Sequence, residues 1–456
     1  MSKEPENGFS RWEIGLLLLC FLVCLTGALI LPMNMCPDES GRVLLSRWMG
    51  NTHTLPAGSE MDVIIMNRTA QNTLDPSAQH WGFSYALRPF LASMVGAACE
   101  IVCGWFTDNP AVLLAASRMC SVLSVTLCCW YCLKLGRRSF PSPHCSFFFA
   151  AFVCFLPQVQ FLGMYQNNDA LSLCAVSAML YYLVEGYDNH WKTASCVKLA
   201  IALSAGALSY YISYPWYLMG LVFCVVSVLR DREISFKGRF LLQRAALIGT
   251  ICLVLAGWFF IRNALLHQGD FLGMAEELRS RERIAALGYR LYEYRCARNE
   301  GVSFLASLRE GNGWFFQMTI MSVYGVFGYL DILMPNWLYN AYYSLTVTGL
   351  LVFFVTLLRR RLSGRDRLLI LTGLIAGAMV FALHAWHSYA RDFQPQGRYI
   401  ITLALPVGWM IARGLDVLQD RLQSGDGRIA LAAGCGWLAL FIMSAVTTMS
   451  KMLLPH

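Results

Sequence analysis

The chain has 456 residues, of which 57% are hydrophobic and only 14% are charged. This composition excludes a soluble globular protein of that length and indicates a polytopic membrane protein. The formal net charge of +8 does not indicate nucleic-acid binding, because the basic residues lie in short clusters between apolar runs, as the positive-inside rule predicts.

The first apolar run, residues 14–33, carries no charge and is long enough to cross about 30 Å of hydrocarbon as a helix. No small-residue cleavage pattern follows it, so we interpret it as a retained span rather than a signal peptide. Lys3 and Arg11 precede the run and predict that it leads outward from the cytoplasm. Asp38 and Glu39, which follow it, are therefore expected on the external side.

Two later apolar segments are predicted not to cross the membrane. Counting residues 81–106 as a span would place the cationic end of the next run, residues 134–138, on the outside. Counting residues 314–330 as a span would reverse every later span and place the arginines at 359–361 outside. We expect both segments to be interfacial or re-entrant helices.

The charge-free stretch 199–229 has cations at both ends, which favours a tight hairpin of two short spans turning near Tyr214-Pro215 over one long helix. The sequence thus predicts an all-α polytopic membrane protein that forms a single domain over residues 1–456. It has about eleven transmembrane helices, with interfacial helices in the external loops 34–110 and 263–337. The predicted spans are residues 14–33, 111–133, 147–163, 171–187, two within 199–229, 245–261, 338–358, 368–386, 399–415 and 429–449.

The seventeen cysteines lie mostly inside apolar runs, where thiols behave as small hydrophobes. Cys129 and Cys132 have a C-x-x-C spacing within a predicted span, but no partner pair is visible, so a metal or redox role is disfavoured. Asn67 begins an Asn-Arg-Thr sequence that fits an N-glycosylation acceptor, to which we assign no role.

Under this topology, four groups of polar residues fall on the same external surface. They are Asp38-Glu39, the run from Gln166 to Asp169, Arg262-Asn263, and the loop 387–399. Charges close to the hydrocarbon cost a few kcal/mol each, so those that persist tend to face a cavity or a partner. A carboxylate cluster and an arginine cluster at one rim of the protein indicate a single site.

Such a site combines two chemical capacities. A carboxylate accepts a proton from an attacking hydroxyl or amine, or holds a divalent metal, and an arginine stabilises a phosphate leaving group with paired donors. Glycosyl transfer from a lipid phosphate requires both at once. The lipid tail would lie between helices, with its phosphate near the level of the membrane surface.

Five stretches of the sequence carry a resemblance to a known family. PDESGR, at residues 37–42, resembles the acidic first-external-loop motif of the GT-C superfamily of membrane glycosyltransferases, which use polyprenyl-phosphate-linked sugars. QGRYI, at residues 396–400, is similar to a signature of a bacterial branch of that superfamily. Three further patterns similar to those of that branch lie between them in the expected order: YQNNDAL, WFFIRNALLHQGDFLG and SVYGVFGYLD.

The resemblance implies a GT-C-like fold and an inverting hexosyl- or pentosyltransferase with a polyprenyl-phosphate-sugar as donor. It matches Asp38 to the catalytic or metal-binding acid, Glu39 to its neighbour, and Arg398 to a binder of the donor phosphate. We therefore predict Asp38 and Glu39 as the catalytic pair, with Glu39 positioning Asp38. The family usually has a His or Tyr shortly after the acidic pair, whereas Gly41-Arg42-Val43 stands here. Members differ in their need for a divalent metal, so Mg or Mn at Asp38 is left open.

Each candidate residue also has a structural interpretation. Asp38 and Asp169 either cap the following helices or belong to the site; we favour catalysis for Asp38 and capping for Asp169. Arg398 and Arg391 either anchor lipid headgroups or bind phosphate, and phosphate is favoured for Arg398. Arg88 either snorkels, which is preferred, or reaches the cavity. The other candidates for substrate binding are Gln396, Tyr399, Asn168 and Asn263.

His384 and His387 share a helix face near the end of a span, and a polar lining is favoured over a metal pair because no third ligand is visible. The charged run 276–298 is interpreted as a solvated amphipathic helix, with acceptor recognition as the minor alternative.

The sequence thus predicts a multi-pass glycosyltransferase of the cytoplasmic membrane. Its active site would face outside and act on a cell-surface glycan, a lipid-linked glycan or a protein. The alternative is a lipid or glycan transporter, which would place charges near the middle of spans and show matching halves, and neither feature is evident. A third alternative is a non-enzymatic assembly partner of such a transferase.

Overall fold

The structure is a computed structural model that describes residues 8–33, 35–58, 79–80, 85–286, 290–291, 295–358, 361–422 and 427–453. Asn67 of the glycosylation sequence lies outside these ranges, as does part of the charged run 276–298. The described chain is almost entirely helical. Its strands form two short pairs, Gln79–His80 (β1) parallel to Arg290–Leu291 (β2), and Val326–Phe327 (β3) antiparallel to Ile332–Leu333 (β4).

The helices follow one another along the whole chain. They are α1 (Arg11–Ile30), α2 (Glu39–Thr52), α3 (Leu91–Gly104), α4 (Pro110–Ser139), α5 (Pro143–Cys154), α6 (Pro157–Met164), α7 (Asp169–Asp188), α8 (Thr193–Ala207), α9 (Tyr214–Arg230), α10 (Lys237–Cys252), α11 (Trp258–Leu266), α12 (Met274–Ala286), α13 (Phe304–Gly325), α14 (Asn336–Leu357), α15 (Gly364–Ala390), α16 (Ala404–Arg421), α17 (Arg428–Ser444) and α18 (Ser450–Leu453). Short 3-10 turns precede α9 and α16, and π turns follow α10 and α17.

Nine helices of the described chain are long and apolar enough to cross a membrane, and the pair α5 and α6, bent by 64°, makes a tenth if it is one span. The remaining predicted span, the first of the two within residues 199–229, corresponds to the shorter apolar helix α8. The all-α polytopic architecture is therefore confirmed, and every predicted span has a helical counterpart.

The stretch 199–229 does form a hairpin, but it turns earlier than predicted. Helix α8 ends at Ala207, and Tyr210 is extended before the next helix begins. Pro215 lies in the first turn of α9 rather than in the connection. Proline is favoured there because the first turn of a helix has no partner for its N–H groups.

The two segments predicted not to span are both short or broken. Helix α3 has 14 residues and is about 21 Å long, less than the hydrocarbon thickness, but α8 with 15 residues is nearly as short, so length alone does not distinguish the two helices. Helix α13 is interrupted at residues 310–313, where Gly311, Asn312 and Gly313 have positive φ angles. The membrane-surface location of these helices remains a prediction.

Ion pairs at the helix ends agree with the predicted alternation of the spans. Glu13, which completes a capping box with Ser10 at the start of α1, pairs with Arg137 at the end of α4. Arg365, at the start of α15, pairs with Asp188 at the end of α7 at 3.0 Å. These residues mark one end of the bundle, and the candidate site lies at the other.

Candidate functional site

The acidic motif joins α1 to α2, and its second acid is held inside the protein. Both Glu39 oxygens accept hydrogen bonds from Arg118 of α4, at 2.7 and 2.8 Å. Arg118 also donates to the carbonyl oxygens of Ala28 and Leu31 at the end of α1. The side chains of Glu39 and Arg118 are fully buried. Glu39 therefore has no route to a substrate, which corrects its prediction as a catalytic residue and agrees with a positioning role.

Asp38 faces the opposite way from its neighbour. Its backbone is in the left-handed region, at φ 63°, and its side chain does not cap α2 although Asp38 is the N-cap residue. Instead its carboxylate accepts a hydrogen bond of 2.9 Å from Arg398 Nη2, and the Tyr85 side chain lies close enough to help lower the Asp38 pKa. About a quarter of the side chain, 26%, is exposed. A strained non-glycine residue of this kind persists only when the surroundings hold it, and such residues cluster at functional sites.

The electrostatics around Asp38 favour its charged form. Burial by itself raises the pKa of the Asp38 carboxyl, but the positive charges of Arg398 and Arg42 outweigh it and lower the pKa below its ordinary value. Asp38 is thus ionised at neutral pH and able to accept a hydrogen bond or a proton.

The turn before α7 is fixed to the acidic motif. The backbone N–H of Gln166 donates to Glu39 at 3.0 Å. The cap of α7 is made by Asn167, whose side-chain oxygen accepts from the N–H of Ala170 at 2.8 Å. The prediction that Asp169 caps this helix is therefore wrong. Asp169 is 1% exposed, and its Oδ1 has no hydrogen-bond partner among the described residues.

The QGRY segment forms the other wall of the site. The Gly397 N–H donates to Ser322 Oγ of α13 at 2.6 Å, and an added Cβ would lie 2.2 Å from the backbone N of Val323. Gly397 is therefore required for close packing rather than for flexibility. This contact holds the next residue, Arg398, against Asp38, and Arg398 also donates to the Tyr399 hydroxyl at 3.1 Å.

The structure thus brings together Asp38 and Arg398, which are 360 positions apart in the chain. Tyr399 belongs to the same group, because it bonds Arg398 and its ring stacks on Tyr210 with centroids 6.4 Å apart. Asp169 lies within electrostatic range of Asp38 and Arg398.

Other predicted residues have different surroundings. Arg88 pairs with Glu277 of α12 at 3.0 Å. Asn263 is buried and donates to the carbonyl of Leu87, which fixes α11 to the segment before α3. The amide of Asn168 donates to the carbonyl of Pro89.

Two residues of the 387–399 loop region are not placed against Asp38 by any described contact. Arg391 ends α15 with an exposed side chain, and Gln396 is buried beside the Gly397 contact. His384 is buried and stacks on Phe315, with centroids 5.2 Å apart, whereas His387 is exposed. This difference supports a lining role for His384 over a histidine metal pair.

Sequence reasoning missed three residues of the site: Arg42, Tyr85 and Arg118. In the sequence Arg42 stands out only as a departure from the family pattern; in the structure its guanidinium lies over the Tyr85 ring, 5.0 Å from the centroid. Arg118 is a single charge inside a long apolar run, and an arginine in that setting requires a buried partner. That signal would have indicated Arg118 as the partner of an acid.

The residues at Asp38 do not fit a divalent-metal site. Mg and Mn require several oxygen ligands, whereas Asp38 is bonded by Arg398, and Tyr85 and a second arginine, Arg42, lie nearby. In the described part of the chain, the one group of three candidate ligands within mutual reach is the thiol set Cys128, Cys132 and Cys154. These buried thiols lie on α4 and α5 and include no residue of the Asp38 site.

No protein-family model matches the chain, and no curated protein matches its sequence. Solved structures do match its fold. Two crystal structures of ArnT from Cupriavidus metallidurans, one bound to undecaprenyl phosphate and one apo, match with TM-scores of 0.50 and 0.53 at 15% identity. Both matches cover 94% of this chain and 64% of the ArnT chain. A crystal structure of the Archaeoglobus fulgidus oligosaccharyltransferase with Zn and sulfate matches over 95% of this chain and 53% of its own, at 14% identity and a TM-score of 0.49.

ArnT is a GT-C glycosyltransferase, and this chain therefore has the GT-C fold that the resemblance implied. The chain spans 64% of the length of the ArnT structures that it matches.

Proposed function

We propose that the protein is a membrane glycosyltransferase that moves a sugar from a polyprenyl-phosphate-linked donor to an acceptor hydroxyl. The acceptor is a cell-surface glycan, a lipid-linked glycan or a protein at the external face of the cytoplasmic membrane. The observation that carries this proposal is the contact of 2.9 Å between the ionised carboxylate of Asp38 and the guanidinium of Arg398, at one end of a GT-C fold.

The proposed reaction assigns one role to each partner of this pair. The acceptor oxygen attacks the anomeric carbon of the sugar while the bond from that carbon to the phosphate oxygen breaks. Asp38 takes the proton of the attacking hydroxyl, and the polyprenyl phosphate leaves with its negative charge stabilised by Arg398. Attack opposite to the leaving group inverts the anomeric centre.

The geometry of Arg398 suits this division of work. Its Nη2 holds Asp38 and the Tyr399 hydroxyl, whereas its Nε and Nη1 make no hydrogen bond within the described chain. One guanidinium can therefore orient the base and bind a phosphate oxygen at the same time. The rings of Tyr85, Tyr210 and Tyr399 are half-buried around the pair and offer apolar faces for a sugar ring.

Two further observations support the donor class and the location. One of the ArnT structures with this fold is bound to undecaprenyl phosphate, which is a polyprenyl phosphate. The distribution of basic residues predicts that Asp38 lies on the non-cytoplasmic side.

The test is a donor assay with the purified full-length protein. The protein is incubated with a panel of polyprenyl-phosphate sugars and candidate acceptors, and release of polyprenyl phosphate is measured together with formation of the glycoside. We expect turnover of at least one donor. Asp38→Asn should reduce turnover about 100- to 10,000-fold, because the amide cannot accept the proton.

Asp108→Asn is the matched control, because Asp108 is an exposed acid in the connection between α3 and α4. It should turn over donor like the parent. Equal turnover by Asp38→Asn and the parent would refute the role of Asp38. Absence of turnover across the whole panel, with folded protein, would count against the proposed donor class.

A further inference from the structure

Two arginines beside Asp38 are buried with unused hydrogen-bond donors. Arg42 and Arg398 are each 4% exposed. The Nε and Nη1 atoms of both residues are buried and have no hydrogen-bond partner among the described residues. Leaving a charged donor buried and unbonded costs more than a typical hydrogen bond contributes, so donors of this kind are expected to bond water or a ligand.

The two guanidinium groups belong to one electrostatic cluster. Arg42 interacts with Asp38, with Asp169 and with Arg398, although it lies on α2 and Arg398 lies before α16. Two like charges brought together in a buried place repel each other. The two carboxylates nearby offset this repulsion, but they leave the donors unbonded, because Asp169 is not bonded to either arginine and Asp38 bonds only Arg398. The unused donors are therefore available to a ligand that carries negative charge.

A divalent metal is the other means of stabilising a departing phosphate, and the residues of this site do not suit one. The described residues around Asp38 include no three-ligand group, and a cation placed at Asp38 would lie against two guanidinium groups. Guanidinium groups match phosphate oxygens in charge and in planar donor geometry.

We propose that Arg42 and Arg398 together bind the phosphate of the lipid-linked donor, and that this pair of arginines takes the place of a divalent metal ion. The inference rests on the proposed function, and it adds a residue, Arg42, and a metal-independent mode of phosphate binding.

The test is equilibrium binding of polyprenyl phosphate to the purified full-length protein, with uncharged polyprenol and inorganic phosphate as separate probes. Arg42→Gln and Arg398→Gln should each weaken polyprenyl phosphate binding about 10- to 100-fold, since each removes charge-assisted hydrogen bonds. Binding of polyprenol should not change in either variant. Addition of EDTA should leave the affinity of the parent unchanged.

Arg47→Gln is the matched control, because Arg47 is on the same helix and already pairs with Glu100 at 3.4 Å. Its affinity for polyprenyl phosphate should remain within about twofold of the parent, as expected for a partly exposed pair. Arg42→Lys, which keeps the charge, should bind more tightly than Arg42→Gln, and this separates loss of the ligand contact from misfolding. Competition by inorganic phosphate would show that the headgroup alone is recognised.

Two results would overturn the proposal. One is parental affinity in a folded Arg42→Gln protein. The other is loss of parental binding in EDTA that added Mg²⁺ restores. Failure of the proposed function is a different outcome, because a protein that binds polyprenyl phosphate through both arginines but transfers no sugar would retain this inference and refute the transferase. If the Arg42→Gln protein transferred sugar with an unchanged KM for donor, the transferase would be retained and the role of Arg42 in phosphate binding would be refuted.

Discussion

The two ends of the helix bundle both contain buried arginines and acids, but they differ in how completely those charges are bonded. The Asp38 cluster, at the end proposed to be external, consists of Asp38, Arg42, Asp169 and Arg398. The Asp366 cluster, at the opposite end, consists of Asp188, Arg365, Asp366 and Arg413. The first lies among half-buried tyrosines, and the second ties the middle of α16 to the ends of α4 and α7 and the start of α15.

Every nitrogen of the Arg365 guanidinium donates a hydrogen bond in the Asp366 cluster. Arg365 binds both oxygens of Asp188 at 3.0 Å, and it also binds Asp366 and the carbonyl of Arg138. Arg413 pairs with Asp366 and, at 3.0 Å, with Asp416. Asp366 also serves the cap of α15, because its N–H donates to Ser363.

The difference agrees with our proposal that the Asp38 cluster binds a ligand and that the Asp366 cluster is structural. A buried ion pair that satisfies all its donors fixes helix ends and has nothing left to offer a ligand. A buried arginine with two nitrogens that no described residue bonds, as in the Asp38 cluster, has donors to offer a ligand. Charge alone does not separate the two cases, because both clusters contain two arginines and two acids.

The largest expected effect on stability comes from Glu39. Although Glu39 is next to Asp38, both of its oxygens are bonded, as in the Asp366 cluster. Glu39→Gln should lower the free energy of unfolding by about 3–5 kcal/mol, because it leaves Arg118 buried without its counter-charge. The measurement is the apparent melting temperature in detergent, followed by tryptophan fluorescence.

Asp38→Asn is the comparison for this variant. It should lower the melting temperature less than Glu39→Gln does, since Asp38 is 26% exposed and makes one hydrogen bond with Arg398, whereas Glu39 is fully buried with both oxygens bonded to Arg118. It should nevertheless lose donor turnover. Asp366→Asn, at the other end, should destabilise the protein and leave polyprenyl phosphate binding unchanged. A Glu39→Gln protein as stable as the parent would remove the distinction between the two acids.

A smaller effect is expected where the Asp38 cluster is held in place by packing. Gly397→Ala should cost about 1–3 kcal/mol, because the new methyl would meet the backbone of α13 at residues 322 and 323. It should also weaken polyprenyl phosphate binding, since Arg398 would move with its neighbour. Gly436→Ala is the control, because an added Cβ there meets nothing within 4 Å. Unchanged binding by Gly397→Ala would show that Arg398 does not depend on this contact.

The sequence predicted the spans well because they depend on local properties. The thickness and apolarity of the bilayer set the length and composition of a span, and nearby Lys and Arg set its orientation. The sequence predicted that the first acidic motif and the QGRY segment would share one end of the bundle for the same reason. The position of the turn in 199–229 was less well predicted, because a proline suits both a turn and the first turn of a helix.

The sequence could not tell the two adjacent acids apart, since which way Asp38 and Glu39 face depends on Arg118 and on the positive φ angle of Asp38. Nor could it reveal that Arg42 has unused donors, because that depends on what is missing around its side chain in three dimensions. The closeness of Gly397 to α13 is a tertiary property of the same kind.

The smallest expected effect concerns an acid at the edge of the Asp38 cluster. The pKa of the Asp392 carboxyl is raised from an ordinary value of 3.8 to about 6, mainly by burial. The negative charge of Asp38 also raises this pKa, whereas a hydrogen bond from Gln394 lowers it. The folded state thus holds its proton more tightly than the unfolded state does. The stability that the protonated form contributes is therefore present at low pH and is lost as the pH rises from about 4 to about 6.

Asp392→Asn should remove this loss, so the variant should be more stable than the parent above pH 6 and should lose that advantage as the pH falls toward 4. The gain should be about 1 kcal/mol, since screening by solvent reduces the effect at a partly exposed carboxyl. The measurement is the apparent melting temperature of both proteins across this range. Asp188→Asn, which removes a bonded acid from the Asp366 cluster, should be less stable than the parent at neutral pH. A gain from Asp392→Asn that is equal at every pH would mean that packing rather than charge separates the two proteins.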